Sequence, residues 1–298
     1  MKINLSEAII GLFVLSLTIA SASCSDNGTT SNPNADGGSS KRIAIITAGQ
    51  SNSDGRNPFD EFPSEFQPRN PSVHIFKDGT GRYSDFQITH KEDGKDWSYD
   101  AIVYNLLTSK EYGGQDEIYV MKRTKGGTSI DPKGESDYHW TVEYDKLPEI
   151  SKSLLLNFES IIKAAMAAKG SEFEIKAFIW HQGEGDSNEQ EVAERYYDNL
   201  KKMLAYVREV VGNPELQFIC GNISESNITN KYKDIVNDAF DKLSSEDPFF
   251  HVIDLRHAQL FDNWHFNSEW SEYFGQKVYD KMVDLGIVNG KKVNPAEP

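Results

Sequence analysis

Five short apolar runs punctuate the chain, at residues 42–47 (RIAIIT), 117–121 (EIYVM), 175–180 (IKAFIW), 216–220 (LQFIC) and 251–255 (HVIDL). Each is too short for a helix and rich in β-branched or aromatic side chains, which predicts a buried strand. Between them, apolar residues recur at helical spacing. Positions 150, 154, 155, 158, 161, 162, 165 and 166 form a stripe over 148–169, closed by Gly170. Positions 192, 196, 200, 203, 204, 207 and 211 repeat it up to Gly212, and a third such segment runs over 272–285 to Gly286. Residues 97–110 are a shorter helical candidate. Residues 58–83 carry Pro and Asn punctuation and predict a long loop with room for one strand at 73–76. Strands separated by helices predict the α/β class, with a mostly parallel five-stranded sheet covered on both faces. Residues 41–298 are read as one domain.

The chain before residue 41 reads differently. Residues 1–23 have the form of a signal peptide, with Lys2 ahead of an apolar run at 8–20. That run is shorter than the roughly 20 residues a spanning helix needs. Ala20-Ser21-Ala22 fits cleavage before Ser23. Ser21-Ala22-Ser23-Cys24 fits a lipobox, with Cys24 lipidated, although Ser21 stands where Leu is usual. The lipoprotein reading is preferred because residues 24–40 look like a flexible tether, polar and without large apolar side chains. Such a coil spans roughly 20–24 Å. Export follows from either reading. Lipidation at Cys24 puts the domain on a membrane facing the periplasm or cell surface through one lipid anchor; cleavage before Ser23 makes it secreted or periplasmic.

Charge narrows the partners. Lys plus Arg number 31 and Asp plus Glu 46, a formal net charge of −15, which disfavours nucleic acid held by a broad basic face. With 2 cysteines there is neither a disulfide framework nor a Cys-rich zinc module, and Cys220, inside an apolar run, reads as a core thiol. No His-Glu-x-x-His occurs, so no metal and no cofactor are expected.

The residues that follow each predicted strand carry chemistry. Gly49-Gln50-Ser51-Asn52 follows the first, Gly126-Gly127-Thr128-Ser129 the second, and His181-Gln182-Gly183-Glu184-Gly185-Asp186 the third. Gly221-Asn222 follows the fourth. Beyond the fifth come His257 and Asp262-Asn263-Trp264-His265. In open parallel sheets this edge is where ligands bind. A serine hydroxyl needs a base to become a nucleophile, and the tetrahedral oxyanion needs preset donors. Ser51 is the candidate nucleophile, and its own N–H, the Gly127 N–H and the Gln182 amide are candidate oxyanion donors. Asp262 and His265 are spaced so that one loop delivers both carboxylate and base. The Gly-x-Ser-x-Gly elbow of α/β-hydrolases is absent.

These four blocks, Gly49–Asn52, Gly126–Ser129, Trp180–Asp186 and Asp262–His265, resemble in content and order the signature blocks of the sialate O-acetylesterase domain. Those enzymes form carbohydrate esterase family six of the SGNH (GDSL-like) hydrolase superfamily. The resemblance covers about residues 41–286. It implies a flavodoxin-like three-layer α/β/α sandwich and metal-free hydrolysis of acetyl esters on carbohydrates such as sialic acid or xylan. It also implies Ser51 as nucleophile, His265 as base and Asp262 as its partner. Ser51, Gly127 and Gln182 would form the oxyanion hole. Gln182 stands where the wider superfamily has Asn. Glu184 is a second candidate acid, with Asp262 preferred. Asn52, Trp140 and Trp264 are candidate substrate contacts, Trp140 following an apparent insertion at 131–139. Asp186 fits either a helix cap or a supporting acid. His257 is a weaker rival base, and Arg56 a loop ion pair or a contact for an acidic group. Two other functions fit the same residues: hydrolysis of longer acyl esters, against which no long apolar lid is present, and glycan binding by an inactive surface lipoprotein, against which the catalytic set is complete.

Overall fold

The computed structural model describes residues 42–298 except 78, 89–94 and 170–173. The predicted leader, Cys24 and the tether lie outside the described residues. In chain order the elements begin with β1 (Arg42–Gly49), α1 (Ser51–Asp54), β2 (Arg69–Lys77), β3 (Arg82–Gln87), α2 (Tyr99–Thr108) and β4 (Glu117–Thr124). They continue with α3 (Phe158–Lys169), β5 (Ile175–His181), α4 (Gln190–Glu194) and α5 (Tyr196–Val211). The last are β6 (Gln217–Gly221), α6 (Lys233–Glu246), β7 (Phe250–Ile253) and α7 (Ser268–Asp284).

The strands form one 7-stranded sheet in the order β3-β2-β4-β1-β5-β6-β7. All neighbours are parallel except the antiparallel β2–β3 pair. The five-stranded sheet expected from sequence is therefore corrected to seven strands. The five predicted strands keep the flavodoxin-like order among themselves, β4-β1-β5-β6-β7, and the β2–β3 hairpin extends the sheet beyond β4. The strand expected at 73–76 lies within β2, and the rest of the hairpin was obscure for a physical reason. β2 carries Pro71 beside a register shift between Asn70 and His74, and β3 buries Phe86 alone. Half-solvated edge strands have no continuous apolar run to betray them.

Strand alternation sorts the core into two faces. From β1, Ala44, Ile46 and Ala48 join Phe158 of α3, Leu200 of α5 and Phe240 of α6. Ile43 and Ile45 point the other way, to Ile102 and Leu106 of α2 and Phe274 and Val278 of α7. Helices thus cover both faces and leave the strand ends as the open edge. α6 was not predicted, although Val236, Ala239, Phe240 and Leu243, all buried, have helical spacing. Two predicted helices are shorter than their stripes. The 148–169 stripe becomes α-helical only at Phe158, after a single 3₁₀ turn at Ile150–Lys152. The 192–211 stripe is interrupted at Arg195, between α4 and α5. Asn267 caps α7 by accepting the Trp270 N–H at 2.9 Å.

Candidate active site

The site begins where β1 ends. Gly49 has φ +136°, and a Cβ there would lie 2.1 Å from the His181 carbonyl oxygen of β5. Only glycine lets the two strands approach so closely. Gln50 N–H donates to the same carbonyl at 2.9 Å, and α1 starts with Ser51 immediately afterwards. The nucleophile candidate is thereby fixed at the junction of β1 and β5, where strand order reverses and α/β sheets bind ligands.

The base arrives from the other end of the chain. His265 Nδ1 lies 2.7 Å from Asp262 Oδ2, and Asp262 Oδ1 accepts the N–H groups of Trp264 and His265, each at 2.8 Å. The carboxylate therefore holds both the ring and its backbone. Burial alone would raise the Asp262 carboxyl, but the hydrogen bonds from the His265 ring and the two amides outweigh it and hold the group below its ordinary value. With Nδ1 committed, Nε2 is the nitrogen left for chemistry, and it has no partner among the described residues. Ser51 and His265 line one cleft of about 480 Å³, together with Gln50, Asp54, Arg56, Lys125, Gly127, Glu184 and Trp264.

Asn52 joins the two halves. Its Oδ1 accepts Phe266 N–H at 3.1 Å, and its Nδ2 donates to Trp264 O at 3.1 Å and to Glu184 Oε1 at 2.9 Å. Every polar atom of the side chain is used, so the expected substrate contact at Asn52 is corrected: the residue clamps the His265 loop over the turn that carries Ser51. The same bonds bear on the choice of acid. Glu184 meets Asn52 and lies 3.7 Å from His181 Nδ1, whereas Asp262 meets His265. Of the two carboxylates, Asp262 is the one in contact with the His265 ring.

Two further expectations are corrected. Gln182 is fully buried and outside the cleft lining. Its Nε2 donates to Thr128 O at 2.8 Å and Asp186 Oδ2 at 2.7 Å, and its Oε1 accepts from Tyr196 at 3.1 Å. Both amide hydrogens are spent inside the protein, which leaves none for an oxyanion. Trp140 is likewise fully buried, edge-on to Trp180 at 5.1 Å, with its indole N–H on Thr128 Oγ1. It is core, not pocket rim. Trp264, 44% exposed, does face the cleft, and Phe261, 45% exposed, stacks on the His265 ring at 5.8 Å. Arg56 pairs with Asp54 at 2.8 Å while lying across Gly126 in the cleft wall. His257 is mostly exposed beside Glu225 and does not line the cleft.

Asp186 resolves as a support. Its two oxygens accept from Ile130 N–H, Asp131 N–H and Gln182 Nε2 at 2.7–3.0 Å. It thus fixes the loop that carries Gly127, and Asp131 is tied in turn to Arg195 and Asn199. Burial pushes the Asp186 carboxyl up to about 7, against the pull of those donors. A folded-state pKa above the unfolded value means stability that is full below about pH 4 and is lost as pH rises towards 7. Asp186→Asn removes that titration and turns an amide NH₂ towards the donors of Ile130 or Gln182. The variant is expected to be destabilised by about 1–3 kcal/mol, with the gap to the unaltered protein wider at pH 5 than at pH 8. Urea unfolding of both proteins at the two pH values measures it. A gap independent of pH would show that Asp186 does not titrate in this range.

Sequence reasoning passed over Gln50, which lines the cleft, and the clamp made by Asn52. Spacing could not have shown the clamp, since its partners lie 132–214 residues away. Position offered a hint for Gln50, which directly precedes Ser51.

Comparison with known proteins agrees with the fold. Residues 41–284 match the family model described as carbohydrate esterase, sialic acid-specific acetylesterase. No curated protein matches the chain. Among solved structures, a protein from Arabidopsis thaliana superposes with TM-score 0.62 at 20% identity, covering 82% of this chain and 98% of its own. NanS superposes with TM-score 0.59 at 12% identity, covering 83% and 98%. A carbohydrate acetylesterase from Xanthomonas citri gives TM-score 0.59 at 14% identity, covering 82% of this chain and 57% of its own. At these identities the likeness is one of fold.

Proposed function

Because the chain belongs to the carbohydrate esterase, sialic acid-specific acetylesterase family, we propose that it removes O-acetyl groups from carbohydrates, with Ser51, His265 and Asp262 as its catalytic triad. The observation that carries this reading is the 2.7 Å contact of His265 Nδ1 with Asp262, in the cleft that Ser51 also lines. Ser51 Oγ attacks the acetyl carbonyl while His265 Nε2 takes its proton. The π pair moves to oxygen, and the backbone N–H groups of Ser51 and Gly127 stabilise the oxyanion. Collapse expels the sugar alcohol, which receives the proton from His265. Water then repeats the sequence on the acetyl-enzyme and releases acetate. Asp262 holds the imidazole in the tautomer that leaves Nε2 free and stabilises the imidazolium.

Trp264 offers an exposed indole face beside the reacting centre, suited to the apolar face of a sugar ring. Arg56 and Lys125 supply positive charge to the wall of a cleft in an otherwise acidic protein. A leader at residues 1–23 with lipidation at Cys24 would put the enzyme outside the cytoplasm, held near a membrane. The experiment is acetate release by the full chain from O-acetylated sialic acid, acetylated xylan and p-nitrophenyl acetate, with p-nitrophenyl octanoate alongside. Acetyl esters are expected to be preferred. A preference for octanoate would move the substrate to longer acyl esters, and no turnover of any ester would reject hydrolysis.

A further inference from the structure

The catalytic cleft has a neighbour. A second cavity, of about 620 Å³, is walled by the β2–β3 hairpin, the end of β4 and the start of α2. Lys77 ends β2 and Lys122 lies near the end of β4, two strands that run parallel, so the cavity stands toward the same edge of the sheet as the cleft. Asp54 lines both. Its Oδ1 accepts from Thr124 Oγ1 at 3.1 Å and its Oδ2 from Arg56 Nη1 at 2.8 Å, which makes it a fixed post on the border between them.

Nothing in the triad chemistry uses this second cavity, yet its wall holds groups that are costly to bury. Asp100 is 1% exposed. Its carboxylate accepts from Ser98 Oγ and from Tyr104 OH at 2.8 Å, and it pairs with Lys122 Nζ at 2.7 Å. Pairing and hydrogen bonds are what make a buried carboxylate tolerable. They also fix the Lys122 ammonium in the cavity wall. One of its three N–H donors is aimed at Asp100, and the others have no acceptor among the described residues. Ile75, Phe86 and Trp97 supply an apolar side, and Gln87, exposed at the end of β3, adds an amide. Mixed walls and a volume of roughly 300–1,000 Å³ are typical of sites for small polar ligands. The charges narrow the ligand. Among the described residues the lining has four aspartates, Asp54, Asp85, Asp96 and Asp100, against two lysines, Lys77 and Lys122. That surplus repels a carboxylate. It suits hydroxyl groups, which donate to carboxylates and accept from an ammonium.

We propose that this cavity is a subsite for the sugar unit next to the acetylated one, so that the enzyme works on a neutral oligosaccharide or polysaccharide in preference to a free monosaccharide. The assignment rests on the esterase reading given above. The acetylated unit occupies the cleft at Ser51, the chain passes Asp54, and the neighbouring unit hydrogen-bonds to Lys122 with its apolar face toward Phe86 and Trp97. The subsite contributes ground-state binding and takes no part in the bond changes.

The test uses the full-length protein with acetylated xylo-oligosaccharides, an acetylated methyl xyloside, acetylated oligogalacturonides and p-nitrophenyl acetate. The unaltered protein is expected to favour the xylo-oligosaccharide over the single sugar by about 10–100-fold in kcat/KM, the scale of one or two hydrogen bonds to a charged group. Gln87→Trp puts bulk into the cavity from an exposed edge-strand position, and Lys122→Met removes the ammonium. Each should lower the ratio of kcat/KM on the oligosaccharide to that on p-nitrophenyl acetate by about tenfold or more, with the loss carried by KM. Lys122→Met leaves Asp100 without its counter-charge, so Gln87→Trp decides alone if the other variant does not fold. Equal turnover of single sugar and oligosaccharide by the unaltered protein would overturn the proposal. So would a ratio preserved within about threefold in Gln87→Trp, or a preference for the anionic oligogalacturonide. Failure of the esterase reading is visible separately, because p-nitrophenyl acetate would then show no Ser51-dependent turnover.

Discussion

Ser51→Ala is expected to lower kcat for acetyl-ester hydrolysis by about 10⁴-fold or more, some 5.5 kcal/mol of barrier. The size follows from what the substitution removes and what it leaves. The covalent route disappears with Oγ, and His265 Nε2 loses the proton it is placed to take. The backbone donors of Ser51 and Gly127 persist, because alanine keeps its N–H and the turn is set by Gly49 and by the Gln50 contacts with β5. What survives is therefore the activity of an oxyanion site without a nucleophile. KM should change little, since the hydroxyl contributes little to ground-state binding. Steady-state kinetics on p-nitrophenyl acetate, with acetyl-enzyme monitored by mass spectrometry, measures both effects. Near-full turnover by the variant would remove Ser51 from the mechanism.

The second large effect distinguishes two acids. Asp262→Asn is expected to cost about 10³–10⁴-fold in kcat/KM, and Glu184→Gln less than about tenfold. An asparagine oxygen can still accept the N–H groups of Trp264 and His265, so the loop keeps its shape. Its NH₂ would then face the Nδ1–H of His265 and favour the tautomer with the proton on Nε2, which cannot act as a base. Glu184→Gln keeps an oxygen for Asn52 Nδ2. Parallel kinetics on the two variants decide the matter, and the reverse order of losses would make Glu184 the acid.

The parts of this fold that repeat were legible, and the parts that depend on distant partners were not. Strands buried on both faces announce themselves as continuous apolar runs, and β1, β4, β5, β6 and β7 could be placed that way. β2 and β3 sit at one edge, where a bulge and solvent replace the apolar signal. α6 carries a periodic stripe of its own, at Val236, Ala239, Phe240 and Leu243. At the site, the blocks of residues after each strand located Ser51, Gly127, Asp262 and His265 in one region, because topology sends all strand ends to one edge. Spacing along the chain could not say which way an amide turns. Asn52, Gln182 and Gln50 carry chemically similar groups, yet one clamps a loop, one braces a buried carboxylate and one faces the cleft. Their partners, Phe266, Asp186 and Gly185, decide among these roles, and side-chain chemistry alone does not.

The clamp at Asn52 also sets when the site can first exist. The candidate nucleophile and base stand 214 residues apart, counted from Ser51 to His265, and Asn52 bonds to Trp264 and Phe266 across nearly the same interval. Contacts of such long range are closed late in folding, after the loop entropy between them has been overcome. A growing chain therefore carries its candidate serine from the start, and the candidate base takes its place only with the segment that leads into the final helix, which packs on α2, β6 and β7. Turnover would serve as a clock for folding, recording the closure of the last long-range contacts.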